Sequence, residues 1–304
     1  MTAGTSALAE RIGARLAAPV DTAVAAFAHV LAQRAGARAV LFYGSNLRSG
    51  SLEGVLDFYI LLPGNGEAAI WPRVSYHERE HTIELGGLTL RAKVATMRLA
   101  TFAQAASGQL YDTTIWARFV QPSALIWAAD EAARAEVIAA IAAASITAVR
   151  LAAVLGPPQG IAEDYWRALF RATYEAEFRV EKGGRENDIL SVHAEHFEGL
   201  LPLALAAAGI EPRQNGAILT PQLAPAERAR ILGWWKRRRR LGKPLNLLRL
   251  VKASTTFEGA ARYAAWKIER HTGMPVKLTP FRERVPLLAA PQVLFDLWHH
   301  KRRT

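Results

Sequence analysis

The sequence predicts an α+β protein, with a small mixed-sheet unit over residues 1–128, a mainly α-helical unit over 129–272 and a basic, aromatic tail over 273–304. Three observations predict it. Short apolar runs with strand character, bounded by glycine and proline, cluster in the first part of the chain. Beyond Ile126 alanine, leucine and arginine dominate and strand signals fade. A hydrophobic content of 51% in 304 residues is ample for a packed core.

Taken in order, apolar residues recur at helical spacing through Leu8, Ile12 and Leu16, then through Val24, Phe27, Val30 and Leu31. Pro19 and Asp21 mark the break between two helices. The run RAVLFY, 38–43, reads as a short buried strand, 44–54 as a loop, and LDFYILL, 56–62, as a second strand stopped by Pro63. Strands at 81–85 and 88–96 join at Gly86-Gly87, which accepts the positive φ of a tight hairpin. Helices follow at 129–154, 161–182, 188–208, 224–241 and 255–272, with linkers at Gly156-Pro157-Pro158 and near Pro212 to Pro221.

The composition narrows the chemistry. With no cysteine, disulfides, thiol catalysis and Cys-ligated zinc are excluded, which fits a reducing compartment and makes the cytoplasm the expected location. Thirty-eight Lys and Arg against 27 Asp and Glu give a formal +11, which attracts polyanions: nucleotides, nucleic acid or an anionic membrane face. The N-terminus lacks the pattern of a signal peptide. The longest apolar stretch, VIAAIAAASITAV at 137–149, is ended by Arg150 short of the roughly 20 residues that cross a bilayer. The sequence thus predicts a protein that does not span a membrane.

Within the first unit, VLFYGSNLRSGSLEGVLDFYILLP (40–63) joins two strands through a Gly-Ser turn. Such an order suits nucleotidyl transfer from a nucleoside triphosphate. A triphosphate needs backbone N–H donors on a tight turn, magnesium needs a carboxylate, and a cation must meet charge developing on phosphate. Gly44 and Ser45 fit the turn, Asp57 opens the next strand as the carboxylate, and Lys93 on LRAKVAT supplies the cation. Each also has an ordinary structural role: a turn, a strand cap and a solvent-facing lysine.

Here the stretch resembles the nucleotidyltransferase fold of the polymerase-β superfamily, whose pattern is Gly-Ser, a short helix and a strand bearing Asp-x-Asp. This chain departs from it, since the second acidic position is Tyr59 or Val55. Tyr43-Gly44-Ser45 followed by Leu56-Asp57-Phe58 resembles a narrower family, the mitochondrial-type phosphatidate cytidylyltransferases, or translocator assembly and maintenance proteins, which also lack that aspartate. ARFVQP (117–122) is similar to the family's Gly-Arg-Leu-Gln-Lys-Pro, keeping Arg118 and Pro122. YEAEFR (174–179) resembles its Ser-Tyr-x-Gly-Asp-x-Arg region, with Tyr174 and Arg179 matching and Glu177 in place of the aspartate. VKASTTFEGAARY resembles its Arg-Pro-Ser-Ser segment, Lys252 replacing the arginine and Ser254 the first serine. The likeness runs, gapped, over 38–272; between Pro63 and Leu90 an acid such as Glu78, Glu80 or Glu84 is a further metal-ligand candidate.

The resemblance implies CTP plus phosphatidic acid giving CDP-diacylglycerol and pyrophosphate, with Mg2+ as cofactor. It implies that Gly44, Ser45 and Arg118 bind the nucleotide, that Asp57 holds magnesium and that Lys93 neutralises phosphate charge. Tyr174, Glu177, Arg179, Lys252 and Ser254 would then serve the phosphates and the lipid from the helical unit. Arg179 equally suits a salt bridge to Glu175, and Tyr174 a helical core edge. A protein acting on a two-chain lipid docks on the inner face of an anionic membrane. WWKRRRRLGK (234–243) and the tail VLFDLWHHKRRT (293–304) combine tryptophan with cations for that task. Consecutive cations also encircle a helix as an ordinary solvated surface. No motif for a stable nucleic-acid partner is present. The competing readings are transfer to an RNA, small-molecule or protein acceptor, and a non-catalytic binder of nucleotide or anionic lipid.

Overall fold

The computed structural model of the chain describes residues 3–67, 73–83, 88–176 and 185–256 with a few isolated positions beyond; in 73–83, at 88 and 185 and at 243, 246, 247 and 249–256 it describes the backbone. The fold is mixed α and β. Two helices, α1 (Ala3–Leu16) and α2 (Thr22–Ala35), open it. Asp21 separates them because its carboxylate accepts the Ala23 N–H at 2.7 Å, capping α2. Strands β1 (Ala39–Tyr43), β2 (Val55–Leu62), β3 (Arg73–Ile83), β4 (Leu88–Arg98) and β5 (Ser123–Ala128) form one five-stranded sheet in the order β3-β4-β2-β1-β5. The β2–β4 pair is parallel and the other pairs are antiparallel.

Several elements differ from the sequence expectation. The 44–54 loop contains a short helix, α3 (Ser45–Ser49). Its connection to β2 is held by Asn46, whose buried amide donates to the carbonyls of Ser51 and Glu53 at 2.9 and 2.8 Å. The hairpin strand expected at 81–85 begins at Arg73 as β3, and its Gly86-Gly87 turn lies outside the described residues. Helices α4 (Leu99–Ala106) and α5 (Thr114–Phe119), and strand β5, fill the stretch before α6 (Glu131–Leu155) and α7 (Ala162–Ala176). The helix expected over 188–208 is three: α8 (Arg185–Val192), α9 (Ala194–Phe197) and α10 (Leu200–Ala207). Gly199, at φ 66°, makes the second break, in a region of backbone space that glycine enters freely. A hairpin of β6 (Pro212–Asn215) and β7 (Ile218–Pro221) replaces the expected linker. Finally α11 runs unbroken over Pro225–Thr256 with Pro244 inside it; most of the helix expected at 255–272, and the tail at 293–304, lie outside the described residues.

Strand alternation sorts the side chains into two cores. Even-numbered residues (Val40 and Phe42 of β1, Leu56, Phe58 and Ile60 of β2, Leu90, Ala92 and Val94 of β4) pack with Val24, Phe27 and Leu31 of α2. Odd-numbered ones (Leu41, Tyr59, Leu61, Ala95, Met97) join a larger core with α1 and the helices of the second half. At the centre of that core α6 is apolar on nearly all sides, as a helix surrounded by α1, α4, α5, α7, α10 and α11 must be. It exceeds the apolar run that marked it and is long enough to cross a bilayer, but 72% of its most apolar window is buried within the fold.

The WWKRRRRLGK segment is divided by this packing. Trp235 is buried and Trp234 half-buried, both against the buried Trp116 of α5 with ring centroids 6.4 and 5.9 Å away. Arg238 is 4% exposed, lies 3.9 Å over the Trp234 ring, and donates to the carbonyls of Gly108, Leu110 and Trp234. Burial lowers its pKa to about 10, so it stays charged at neutral pH while clamping the α4–α5 loop. The expectation of two interfacial tryptophans is thereby corrected: they are core aromatics. Lys236, Arg237, Arg239 and Arg240 remain exposed.

A charged cleft at the end of the sheet

The candidate site begins with register. Tyr43 on β1 stands opposite Asp57 on β2, and Asp57 stands opposite Lys93 on β4, so the three form one row across the sheet. All three are odd-numbered, so alternation directs them to the face covered by the helical half rather than to the α2 face. Lys93 Nζ lies 3.9 Å from Asp57 Oδ1, with side chains 36% and 26% exposed. Neither is sealed in the core, and a partly exposed pair at this distance adds little stability.

Gly44 follows Tyr43 at φ 90° and ψ −161°, a conformation that is almost exclusive to glycine. A Cβ placed there would meet Asp57 Oδ2 at 2.9 Å. The glycine therefore does two jobs: it turns the chain from β1 into α3, and it leaves the space in which the Asp57 carboxylate sits. Ser45 opens α3, whose first-turn N–H groups have no acceptor within the helix.

Arg118 of α5 reaches the same row. Its guanidinium donates to Tyr43 Oη at 3.3 Å and lies 5.1 Å from the ring centroid. Burial drives the Tyr43 phenol far above its ordinary pKa against the opposing pull of Arg118, so the hydroxyl stays neutral and orients the cation. Tyr59, two residues beyond Asp57 on β2, is fully buried among Tyr43, Phe102 and Phe119.

These groups line one cavity of about 620 Å3, within the roughly 300–1,000 Å3 range of small-molecule sites. Gly44, Ser45, Asp57, Lys93, Arg118 and Tyr174, all singled out from sequence, are brought together there. Also present, and not expected, are Arg48, Gln121, Asp188, Ile189, Val192 and His193. Arg48 had a local signal, a cation one turn beyond the Gly-Ser pair. The residues of α8 had none, because the contact joins segments far apart in sequence. Glu177 and Arg179 lie outside the described residues, as does Glu84; Lys252 and Ser254 fall on the last turns of α11, and Glu78 and Glu80 on β3, where the backbone alone is described.

Three cations, Arg48, Lys93 and Arg118, face two carboxylates, Asp57 and Asp188, around the cavity. Burial, aided by Arg48, lowers the pKa of His193, so its imidazole is neutral at pH 7. The α8–α9 wall is anchored by His196, whose ring nitrogen lies 2.9 Å from the Val120 carbonyl. Arg11 and Arg15 of α1 hold the same wall by donating to the carbonyls of His196, Glu198 and Glu195. Burial, with His193, Arg15 and Arg11 nearby, pushes His196 down to about 4 against the effect of its own hydrogen bond.

Among the described residues no group of three or more His, Asp or Glu is placed to hold a metal by protein ligands alone. No family model matches the chain, and a comparison with curated proteins finds no match.

Proposed function

We propose that the chain is a magnesium-dependent nucleotidyltransferase that moves the cytidylyl group of CTP onto phosphatidic acid or a related lipid phosphate, releasing pyrophosphate at the inner face of an anionic membrane. The observation that carries this is the Tyr43–Asp57–Lys93 row beside the Gly44–Ser45 turn, opening into a nucleotide-sized cavity with an excess of positive charge. Cytosine and the lipid acceptor rest on the family resemblance of the YGS and LDF segments.

Asp57 fits a magnesium ion: it is an oxygen donor, partly exposed, with one carboxylate oxygen beside the space that the missing Gly44 side chain leaves. Mg2+ commonly uses one or two carboxylates and completes its shell with water and substrate phosphate, so one sheet aspartate suffices, with Asp188 lining the same cavity. When bound, the ion neutralises phosphate charge. The chain's own residues do the rest. The Gly44–Ser45 turn offers backbone donors to the phosphates. Arg118, fixed by Tyr43, and Lys93 hold opposite flanks of the triphosphate and bring two mutually repelling anions together. An oxygen of the lipid phosphate then forms a bond to the α-phosphorus, the bond to the β-phosphate bridging oxygen breaks, and pyrophosphate leaves with that electron pair. The acceptor oxygen is already anionic, so no side chain needs to remove a proton.

Membrane docking falls to the exposed cations of α11, Lys236, Arg237, Arg239 and Arg240, each contributing about 1 kcal/mol near an anionic surface, together with the tail. A second reading, binding without turnover, is favoured by the lack of a second acid two residues to either side of Asp57, where Val55 and Tyr59 stand.

Purified protein, radiolabelled CTP, Mg2+ and phosphatidic acid vesicles separate the readings. Label in the lipid phase is the expected result. Nucleotide binding without transfer supports the binder, and transfer to other acceptors alone supports an alternative substrate. Asp57→Asn lowers turnover at least 100-fold with an unchanged melting temperature; a variant that retains activity removes Asp57 from the chemistry.

A further inference from the structure

A second opening lies between the end of α4, α6 and α11 and shares no lining residue with the charged cleft. It is a slot of about 200 Å3. Leu151, Ile231 and Trp234 supply apolar walls, while Arg150 and Arg230 line it with exposed side chains. The neutral polar groups of the walls are turned inward. Thr147 Oγ1 lies 2.9 Å from the carbonyls of Ala106 and Ala143, and Trp234 Nε1 donates to the Gly108 carbonyl at 3.2 Å. Gly108, at φ 71°, lets the wall close: a Cβ there would stand 2.9 Å from Thr147 Cγ2 and 3.0 Å from Trp234 Cζ2.

What remains for a ligand is an apolar interior and two guanidiniums. Arg150 donates to the Ala208 carbonyl and Arg230 to Glu227, each at 3.3 Å, and a guanidinium with five N–H donors keeps others for an anion. Among the described residues no carboxylate lines the slot, and Glu227, ion-paired with Arg230, stands outside its lining. The volume is below the usual range for drug-sized ligands, too small for a nucleotide and suited to the end of one hydrocarbon chain.

We propose that this slot binds the acyl end of a single anionic amphiphile, whose carboxylate or phosphate head is held by Arg150 and Arg230. The site is independent of the reading of the charged cleft. Titration of the full-length protein with octanoate, decanoate, laurate, dodecyl phosphate and dodecyltrimethylammonium, each below its micelle concentration, tests it by calorimetry. Affinity rises roughly fourfold per added methylene until the slot is full. Carboxylate and phosphate heads both bind, and the cationic head does not. The double variant Arg150→Gln/Arg230→Gln weakens laurate at least tenfold, and Ser107→Phe, at a half-buried lining position, blocks binding with an unchanged melting curve. If Ser107→Phe does not fold, the arginine pair decides alone. Equal binding of the cationic amphiphile, unchanged binding by the arginine variant, or no binding to the unaltered protein overturns the proposal. So does binding to anionic vesicles without binding to the monomeric amphiphiles, which would mark a docking surface instead of a slot.

Discussion

On one face of the sheet, Phe42, Phe58, Ile60 and Val94 meet Phe27 and Leu31 of α2 in a closed apolar core; on the other, Tyr59 and Ala95 are followed along the same strands by Asp57 and Lys93. The same residues' neighbours, two positions apart, thus pass from core to cleft. The difference teaches how the chain keeps charge at the end of a sheet without destabilising it. One face packs against α2, and on the other the charges stand in the row that begins at Tyr43, the last residue of β1, where the helical half leaves a cavity instead of packing down. A carboxylate or ammonium packed into either core would carry the heavy cost of burial.

That contrast can be broken from either side. The largest expected effect is on the α2 face: Phe58→Ala removes a fully buried ring in contact with Phe27 and Phe42 and costs about 3–5 kcal/mol. Denaturant unfolding reads the loss, and nucleotide affinity of the folded fraction stays as it was. Next comes the wall of the open face. His196 has its pKa lowered to about 4 in the fold, against about 6.5 unfolded. The unfolded chain therefore binds the extra proton more readily, and stability present above pH 6.5 is lost as pH falls toward 4, by about 3 kcal/mol at the low end. Melting curves from pH 7.5 to 4.5 show this slope, and His196→Gln flattens it. A slope that the variant leaves intact assigns the loss to other groups. The smallest effect on stability is at the turn itself. Gly44→Ala costs about 2 kcal/mol through its backbone conformation and its approach to Asp57, yet it removes nucleotide binding in calorimetry. Unchanged binding would separate the turn from the cleft's function.

Where a residue's fate depends on near neighbours, it was legible. Asp21 announces a helix start, the runs around Leu41 and Tyr59 announce strands, and Gly44, Ser45, Asp57 and Lys93 could be grouped before any fold was known. Where it depends on distant packing, it was not. The short run of β5 is a strand because β1 offers an edge to pair with, and the polar first half of β3 is a strand because β4 does. Asp188 and His193 join the cleft only because α8 is carried there by α7 and by the His196 anchor on Val120. The tryptophans at 234 and 235 carried a misleading local signal: beside a run of cations they read as interfacial, and their inward turn is set by Trp116, far away in the chain.

Helix α1 belongs spatially to the far half of the molecule. It packs on α6 and α10, and its Arg11 and Arg15 bind carbonyls just before α10. During synthesis at roughly 5–20 residues per second, α1 waits on the order of 10–40 s for those partners to be made. The α2 core, whose strands are complete once β5 ends at Ala128, can assemble while the ribosome is still working. The larger core, and with it the cleft, closes late, so a nascent chain holds α1's apolar stripe of Leu8, Ile12 and Leu16 uncovered for most of its translation, a natural place for a chaperone to bind.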